Sequence, residues 1–231
     1  MKILVFDTCF NKSYIVLSDN GKILSYEKIQ SNEFNYHSAY LIPKIRDILR
    51  DNNMQVKDLE AIGVDIGPGS FTGIRAGITI ARVLAQQANL KLAGISSMQI
   101  LSKLNTKMKE SVVVLDARKN KVYYAKYLTD KEITTPCLID KESLPMSIKE
   151  FQGEIISDSS IGAFLSENGI KTVNYEENDE NIGLFLSDIV FKKLTAACSN
   201  SKSSSNFNWA EVKPLYIQTP SITKQKVKTN V

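Results

Sequence analysis

Apolar positions along the chain fall into two rhythms, one of period two and one of period 3.6. Lys2–Phe6 is an apolar run rich in β-formers and predicts a central strand. Asn11-Lys12 reads as a turn and Ser13–Ser18 as a second strand. Asp19-Asn20-Gly21 is a hairpin signal, and Lys22–Ile29 then alternates through Ile23, Ser25, Glu27 and Ile29 as a third strand. The first thirty residues thus predict an antiparallel meander. Over Ser38–Asn52 the rhythm changes: Leu41, Ile45, Ile48 and Leu49 share one stripe at helical spacing, with Pro43 near the start. Leu59–Ile66 predicts a buried strand, broken by Gly67-Pro68-Gly69-Ser70. A second helix follows over Phe71–Asn89, a short strand over Lys91–Gly94, and a third helix capped by Ser96 or Ser97 and running to about Leu104.

The pattern then restarts. Ser111–Leu115 is a strand ending at Asp116, Arg118-Lys119-Asn120 a turn, and Lys121–Leu128 another strand, which repeats the strand–Asp–turn–strand order of Val5–Leu17. Gly153–Ser157 predicts a strand, Ile161–Asn168 a helix, Lys171–Tyr175 a strand, and Asn181–Ser199 a helix carrying Leu184, Phe185, Ile189 and Leu194. Ser199–Asn208 is Ser/Asn-rich without periodicity and reads as a loop. Lobes over 1–104 and 105–218 follow, with a basic tail over 219–231 that carries Lys224, Lys226 and Lys228.

Composition narrows the chemistry. With 231 residues, 43% hydrophobic and 23% charged, the chain can bury a core of one large or two small domains. Its net charge of +4 permits RNA contact without arguing for it. Cys9, Cys137 and Cys198 are scattered and form no CxxC pair, which excludes a zinc knuckle or disulfide framework and fits a reduced, cytoplasmic setting. The apolar run before Asp7 is too short for a signal peptide, and no stretch is long enough to cross a bilayer. His37 is the only histidine, so neither HxxxH nor HExxH can exist; it reads as a polar residue near a helix start.

Two stretches could carry function. Gly67 through Gly77 joins a strand to a helix and presents free backbone amides, as anion sites do, but it lacks the lysine of a Walker loop. Within that helix Gly73, Gly77, Ala81 and Ala85 lie four apart on one face. Glycine in a helix costs roughly 1 kcal/mol against alanine, so the stripe needs a compensating close contact, either in this chain's own core or with a partner helix. Arg75 and Arg82 share a different face, open to solvent or an acidic partner. The other stretch is Asp7-Thr8-Cys9-Phe10-Asn11-Lys12-Ser13. A strand-end carboxylate followed by hydroxyls and amides could hold a cation and a phosphate, with Asp7, Thr8 and Ser13 as the gripping residues. Phe10 and Lys12 stand where close backbone approach calls for small residues. Asp7 and Asp65 also end neighbouring strands, as a two-metal nuclease pair would.

Asp7-Thr8, His37-Ser38, the run Gly67-Pro68-Gly69-Ser70-Phe71-Thr72-Gly73-Ile74-Arg75, Asp116-Ala117-Arg118 with Val122-Tyr123, and Pro214-Leu215-Tyr216-Ile217-Gln218 together resemble the TsaB (YeaZ) family. The resemblance covers nearly the whole chain. It implies an α/β, two-lobed ribonuclease H-like and actin-like (ASKHA) fold, each lobe a mixed sheet flanked by helices. It also implies a non-catalytic role beside the TsaD subunit and the TsaE ATPase, which form N6-threonylcarbamoyladenosine next to the tRNA anticodon. The first two helices of each subunit would pack as a four-helix bundle, placing Leu41, Ile45, Gly69, Gly73, Gly77 and Ala81 at the interface. The same stripe could form a homodimer when the chain is alone. On this reading no cofactor is required by the chain, ATP or ADP with magnesium enters only at the level of the complex, tRNA is met indirectly and no membrane is involved. Cys9 stands where the family usually has serine, and Gln218 where it has arginine. The competing expectation is a stand-alone actin-like ATPase or kinase using Asp7. A peptidase has little chemical footing without paired histidines or a GxSxG elbow.

Overall fold

The computed structural model describes residues 1–30, 36–106, 110–199 and 207–218. The basic tail of 219–231 and most of the Ser/Asn-rich stretch lie outside them. The meander forms as β1 (Lys2–Asp7), β2 (Ser13–Asp19) and β3 (Lys22–Ile29), with Asn20 and Gly21 both at positive φ in the turn. Then come α1 (Tyr36–Asp51), β4 (Ala61–Asp65), α2 (Phe71–Ala88), β5 (Lys91–Ile95) and α3 (Ser97–Ser102). His37 falls at the beginning of α1, whereas Pro43 sits inside the helix on its exposed side. Ser96 caps α3, its hydroxyl accepting from the Met98 N–H. The second half supplies β6 (Glu110–Asp116), β7 (Lys121–Leu128), β8 (Lys131–Glu132), β9 (Cys137–Asp140), α4 (Leu144–Ile148), β10 (Glu154–Ser157), α5 (Ser159–Glu167), β11 (Val173–Asn174) and α6 (Ile182–Ser199).

The two sheets have the same wiring. The first runs β3-β2-β1-β4-β5, antiparallel across the meander and parallel from β1 through β4 to β5. The second runs β8-β7-β6-β10-β11 with the same senses, β9 adding to β7. The strand–Asp–turn–strand repeat is therefore an architectural duplication in which α1, α2 and α3 correspond to α4, α5 and α6.

Packing explains the unbroken apolar strands. In β1, Ile3 and Val5 enter a central core while Leu4 and Phe6 enter an outer one. In β6, Val113 and Leu115 face the central core while Val112 and Val114 face a third cluster under α4 and α5. Sheets covered on both faces need apolar residues at every position. The central layer is built by exchange: α3 packs on β6 and β7, and α6 crosses back onto β1, β2, β4 and β5. Residues 182–199 and 207–218, which chain order groups with the second lobe, therefore pack on the first. Trp209 and Val212 join its outer core, and the Leu215 N–H donates to the Ile66 carbonyl at 2.9 Å. No helix among the described residues is long and apolar enough to cross a membrane.

Candidate functional site

The parallel pairing of β1 with β4 sets Phe6 beside Val64, so the carboxyls of Asp7 and Asp65 meet at the strand ends. Both are fully buried. Asp65 accepts from the Ser97 hydroxyl (2.7 and 2.8 Å) and from the Gly67 N–H (2.8 Å). Asp7 accepts from the Cys9 N–H through Oδ1 (2.7 Å), and its Oδ2 has no other protein donor. Two carboxyls buried this close disfavour each other's charge. Burial, and then the charge of Asp65, push Asp7 well above the usual carboxylate range. Burial raises Asp65 to about 6, opposed by the Gly67 and Ser97 donors. Of the two carboxyls, Asp7 is therefore the one that more strongly favours its protonated form.

One donor atom each from Asp7, Cys9 and Asp65 lies within 4.8 Å of the other two. These residues do not fit the hydrated magnesium that an actin-like fold implies. The ion keeps several waters and wants oxygen ligands. Here every member is buried, one donor is a thiol whose Sγ points at the Asp65 carbonyl (3.5 Å), and Asp65 is already occupied by three donor contacts.

The two stretches singled out in the sequence form one interlocked unit. The Thr8 hydroxyl donates to the Gly73 carbonyl at 2.7 Å, and the Ser70 N–H donates to the Cys9 carbonyl at 2.8 Å. A Cβ on Gly73 would overlap the Thr8 carbonyl oxygen, and one on Gly77 would meet Thr8 Oγ1 at 2.5 Å. Gly69 lies against the Cys9 carbonyl in the same way. The first hairpin thus runs in the trough that the glycines open, and Thr8 spends its hydroxyl there. Ser13 is buried in β2.

The hairpin tip is also tied to the second lobe. Phe10 packs on Tyr175 with ring centroids 5.3 Å apart, and Asn11 donates to Glu176 at 3.3 Å. Lys12 pairs with Asp179, which Lys28 reaches at 3.2 Å while also holding Glu180 at 2.6 Å. Where a phosphate hairpin would leave room, a tilted aromatic pair and an ion-pair clasp stand. The two lysines hold Asp179 below the usual carboxylate range against the opposing effect of burial. The clasp therefore contributes stability above about pH 4 that is lost as acid protonates Asp179. Asp179→Asn is expected to lower stability by about 1–2 kcal/mol at pH 7, since both lysines can turn to water, and to leave the protein less sensitive to acid. Urea titrations at pH 7 and pH 3.5 check this; an unchanged midpoint at pH 7 contradicts it.

Of the interface residues expected from the sequence, Gly69 is exposed and the others are buried. Leu41, Ile45 and Ala81 are buried beside Gly73 and Gly77 in this chain's own outer core, because the trough is filled from inside. What α1 and α2 do expose is a different face. Val83 is 51% exposed on α2, and Ile42, 58% exposed on α1, lines a groove of about 610 Å³ together with Arg46, Met54, Val56 and Leu84. The arginine face of α2 is not simply open either. Arg75 lies 4.0 Å over the Phe71 ring and donates to the Tyr216 hydroxyl at 3.0 Å, and Arg82 lies 5.7 Å from the Trp209 ring.

Sequence reasoning missed the cleft between the lobes, about 900 Å³, which only the returning segment completes by adding Leu215 to Gln218 to its wall. Opposite lies the second hairpin, where Arg118, Lys119 and Asn120 all have positive φ. Asp116 accepts from the Arg118 N–H at 2.9 Å, and its own N–H donates to Asp158, whose carboxyl burial pushes up.

Comparison with known proteins follows this geometry. The family model described as TsaD, tRNA N6-adenosine threonylcarbamoyltransferase, matches residues 31–202. The tRNA threonylcarbamoyladenosine biosynthesis protein TsaB of Escherichia coli (strain K12) is 32% identical over 134 residues, 57% of this chain and 57% of that protein. TsaB of Bacillus subtilis (strain 168) is 31% identical over 130 residues, 55% of each chain. The chain thus spans a little over half the length of the curated relatives it matches. Among solved structures, a Pseudomonas aeruginosa protein described as similar to peptidase YeaZ aligns with a TM-score of 0.70 at 18% identity, over 94% of this chain and 99% of that one. YeaZ from Pseudomonas aeruginosa aligns at 0.57 and 22%, over 68% and 74%. Over residues 31–202 the match is to one family model, and the chain belongs to the family that the TsaD model describes.

Proposed function

We propose that this chain is a non-catalytic partner subunit that binds and supports a TsaD-type threonylcarbamoyltransferase in forming N6-threonylcarbamoyladenosine next to the tRNA anticodon. The observation that carries this reading is the apolar surface left open on α1 and α2, where Ile42 stands exposed on the groove and Val83 is exposed on α2. An exposed apolar patch of this kind marks a contact surface. Two further observations favour it. The hairpin that would grip nucleotide phosphate is filled by Phe10 and Tyr175, and the sequence has a single histidine with which to hold a metal. In this proposal ATP or ADP with magnesium enters only at the level of the complex, TsaE is a second partner, and the complex works in the cytoplasm. The same α1–α2 face would close a homodimer when the chain is alone. The stand-alone ATPase or kinase reading is disfavoured because Asp7 is fully buried and burial favours its uncharged form.

Size exclusion with light scattering, on the chain alone and mixed with the TsaD subunit of the same source, tests the proposal. A one-to-one species is expected. The double variant Ile42→Glu/Val83→Glu is expected to weaken it at least tenfold without lowering the melting temperature, since both side chains already face water. Unchanged elution of the two wild-type proteins, or full binding by the variant, rejects this face.

A further inference from the structure

We propose that the rim of the interlobe cleft binds single-stranded RNA directly, with phosphates on Arg118 and Lys119 and a base stacked at Tyr216 and Phe71. This goes beyond the partner role, which needs no RNA contact from this chain. The floor of the cleft is closed by Phe10 on Tyr175, so a nucleotide cannot sink to the first hairpin. The rim is different. Phe71 and Tyr216 stack with centroids 5.1 Å apart, and each remains 40% exposed. Arg75 lies over the Phe71 ring and donates to the Tyr216 hydroxyl, which fixes both rings. Across the same cavity, Arg118 and Lys119 are exposed, and no carboxylate of the described residues forms an ion pair with either.

The chemistry selects the ligand. Exposed aromatic rings beside cations that lack carboxylate partners are the elements of a single-strand platform, where rings take base faces and cations take the backbone. Asp116 and Asp158 also line the cleft. They would repel a compact polyphosphate, yet they can accept from exocyclic base amines. A duplex offers no free base face to the rings. The shared chemistry of base plus phosphate could also come from a free nucleotide, and the test separates the two.

The test uses the full chain without partner, so that failure here and failure of the TsaD reading remain separate. The probe is a fluorescein-labelled RNA 12-mer of mixed sequence, followed by anisotropy from 50 to 200 mM salt. Arg118→Asn/Lys119→Asn keeps residues that tolerate positive φ while removing both charges. It is expected to weaken binding at least tenfold and to flatten the salt dependence by between one and two units of slope. Tyr216→Leu is expected to weaken binding at least fivefold, and Tyr216→Trp to restore it, a rescue that a merely structural role for Tyr216 does not give. Melting curves report whether each variant folds. The proposal is overturned if the wild type does not bind at 50 mM salt, or if folded variants bind as the wild type does. It is also overturned if equimolar ADP displaces the RNA, which assigns the rim to a free nucleotide.

Discussion

Gly73→Ala is expected to destabilise the isolated chain by about 3 kcal/mol or more, a fall in melting temperature of roughly 6–12 °C for a protein of this size. The new methyl group would occupy the place of the Thr8 carbonyl oxygen. That atom is backbone, directly after β1, and the Thr8 hydroxyl's bond to the Gly73 carbonyl keeps the two segments together. Alanine's better helix propensity, about 1 kcal/mol, does not offset an overlap of this size. Gly77→Ala meets a side chain instead, the Thr8 hydroxyl at 2.5 Å. A double-mutant cycle therefore separates the two positions: Thr8→Ala should relieve much of the Gly77→Ala penalty and little of the Gly73→Ala penalty. Chemical denaturation of the isolated chain gives all the values. If Gly73→Ala leaves the isolated chain unchanged and weakens only a complex, the stripe serves a partner and the internal trough is wrong.

The second large effect is one of pH. Both buried carboxyls have folded-state values above their unfolded ones, Asp65 at about 6 and Asp7 higher still. A raised value means that stability is fully present below about pH 4, where the unfolded chain is also protonated, and is lost as pH rises through the folded value. The pair therefore costs stability progressively from pH 4 through 6 and above, opposite in sign to the Asp179 clasp. Asp7→Asn keeps a donor toward Asp65 and an acceptor for the Cys9 N–H while removing the higher of the two raised groups. It is expected to stabilise the protein by about 1–3 kcal/mol at pH 8, with the gain vanishing near pH 4. Melting temperatures across pH 4–8 read this directly. A loss of stability at pH 8 would show that Asp7 is ionised in the folded protein and that its burial serves a bound cation instead.

Elements with strong local signals were legible in the sequence. Asp19-Asn20-Gly21 closes its hairpin, Ser96 caps α3, and the runs at β1, β4 and β6 are strands buried on both sides. The repeated strand–Asp–turn–strand order reported a real duplication of wiring. What escaped was weakly patterned: β8 and β9 carry mostly exposed or half-exposed residues, α4 has five residues, and only Val173–Asn174 of the expected Lys171–Tyr175 strand pairs. At the candidate site, the small-residue stripe was visible but its partner was not. A row of glycines specifies close approach without saying to what, and here it is the chain's own first hairpin. The two-carboxylate pair was visible as well; its full burial and the donors Ser97 and Gly67 on Asp65 were not. The cleft rim could not be read because Tyr216 and Arg118 are far apart in the chain.

The exchange of α3 and α6 between the sheets also sets the timing of synthesis. The strands of the first sheet leave the ribosome early, yet the face that α6 covers stays bare until the chain has grown past Ile182. At about 5–20 residues per second that gap is on the order of 10 s, during which a largely apolar β-surface is uncovered. The nascent first lobe is therefore exposed to chaperones and to misassociation until α6 and then residues 207–218 emerge to cover it.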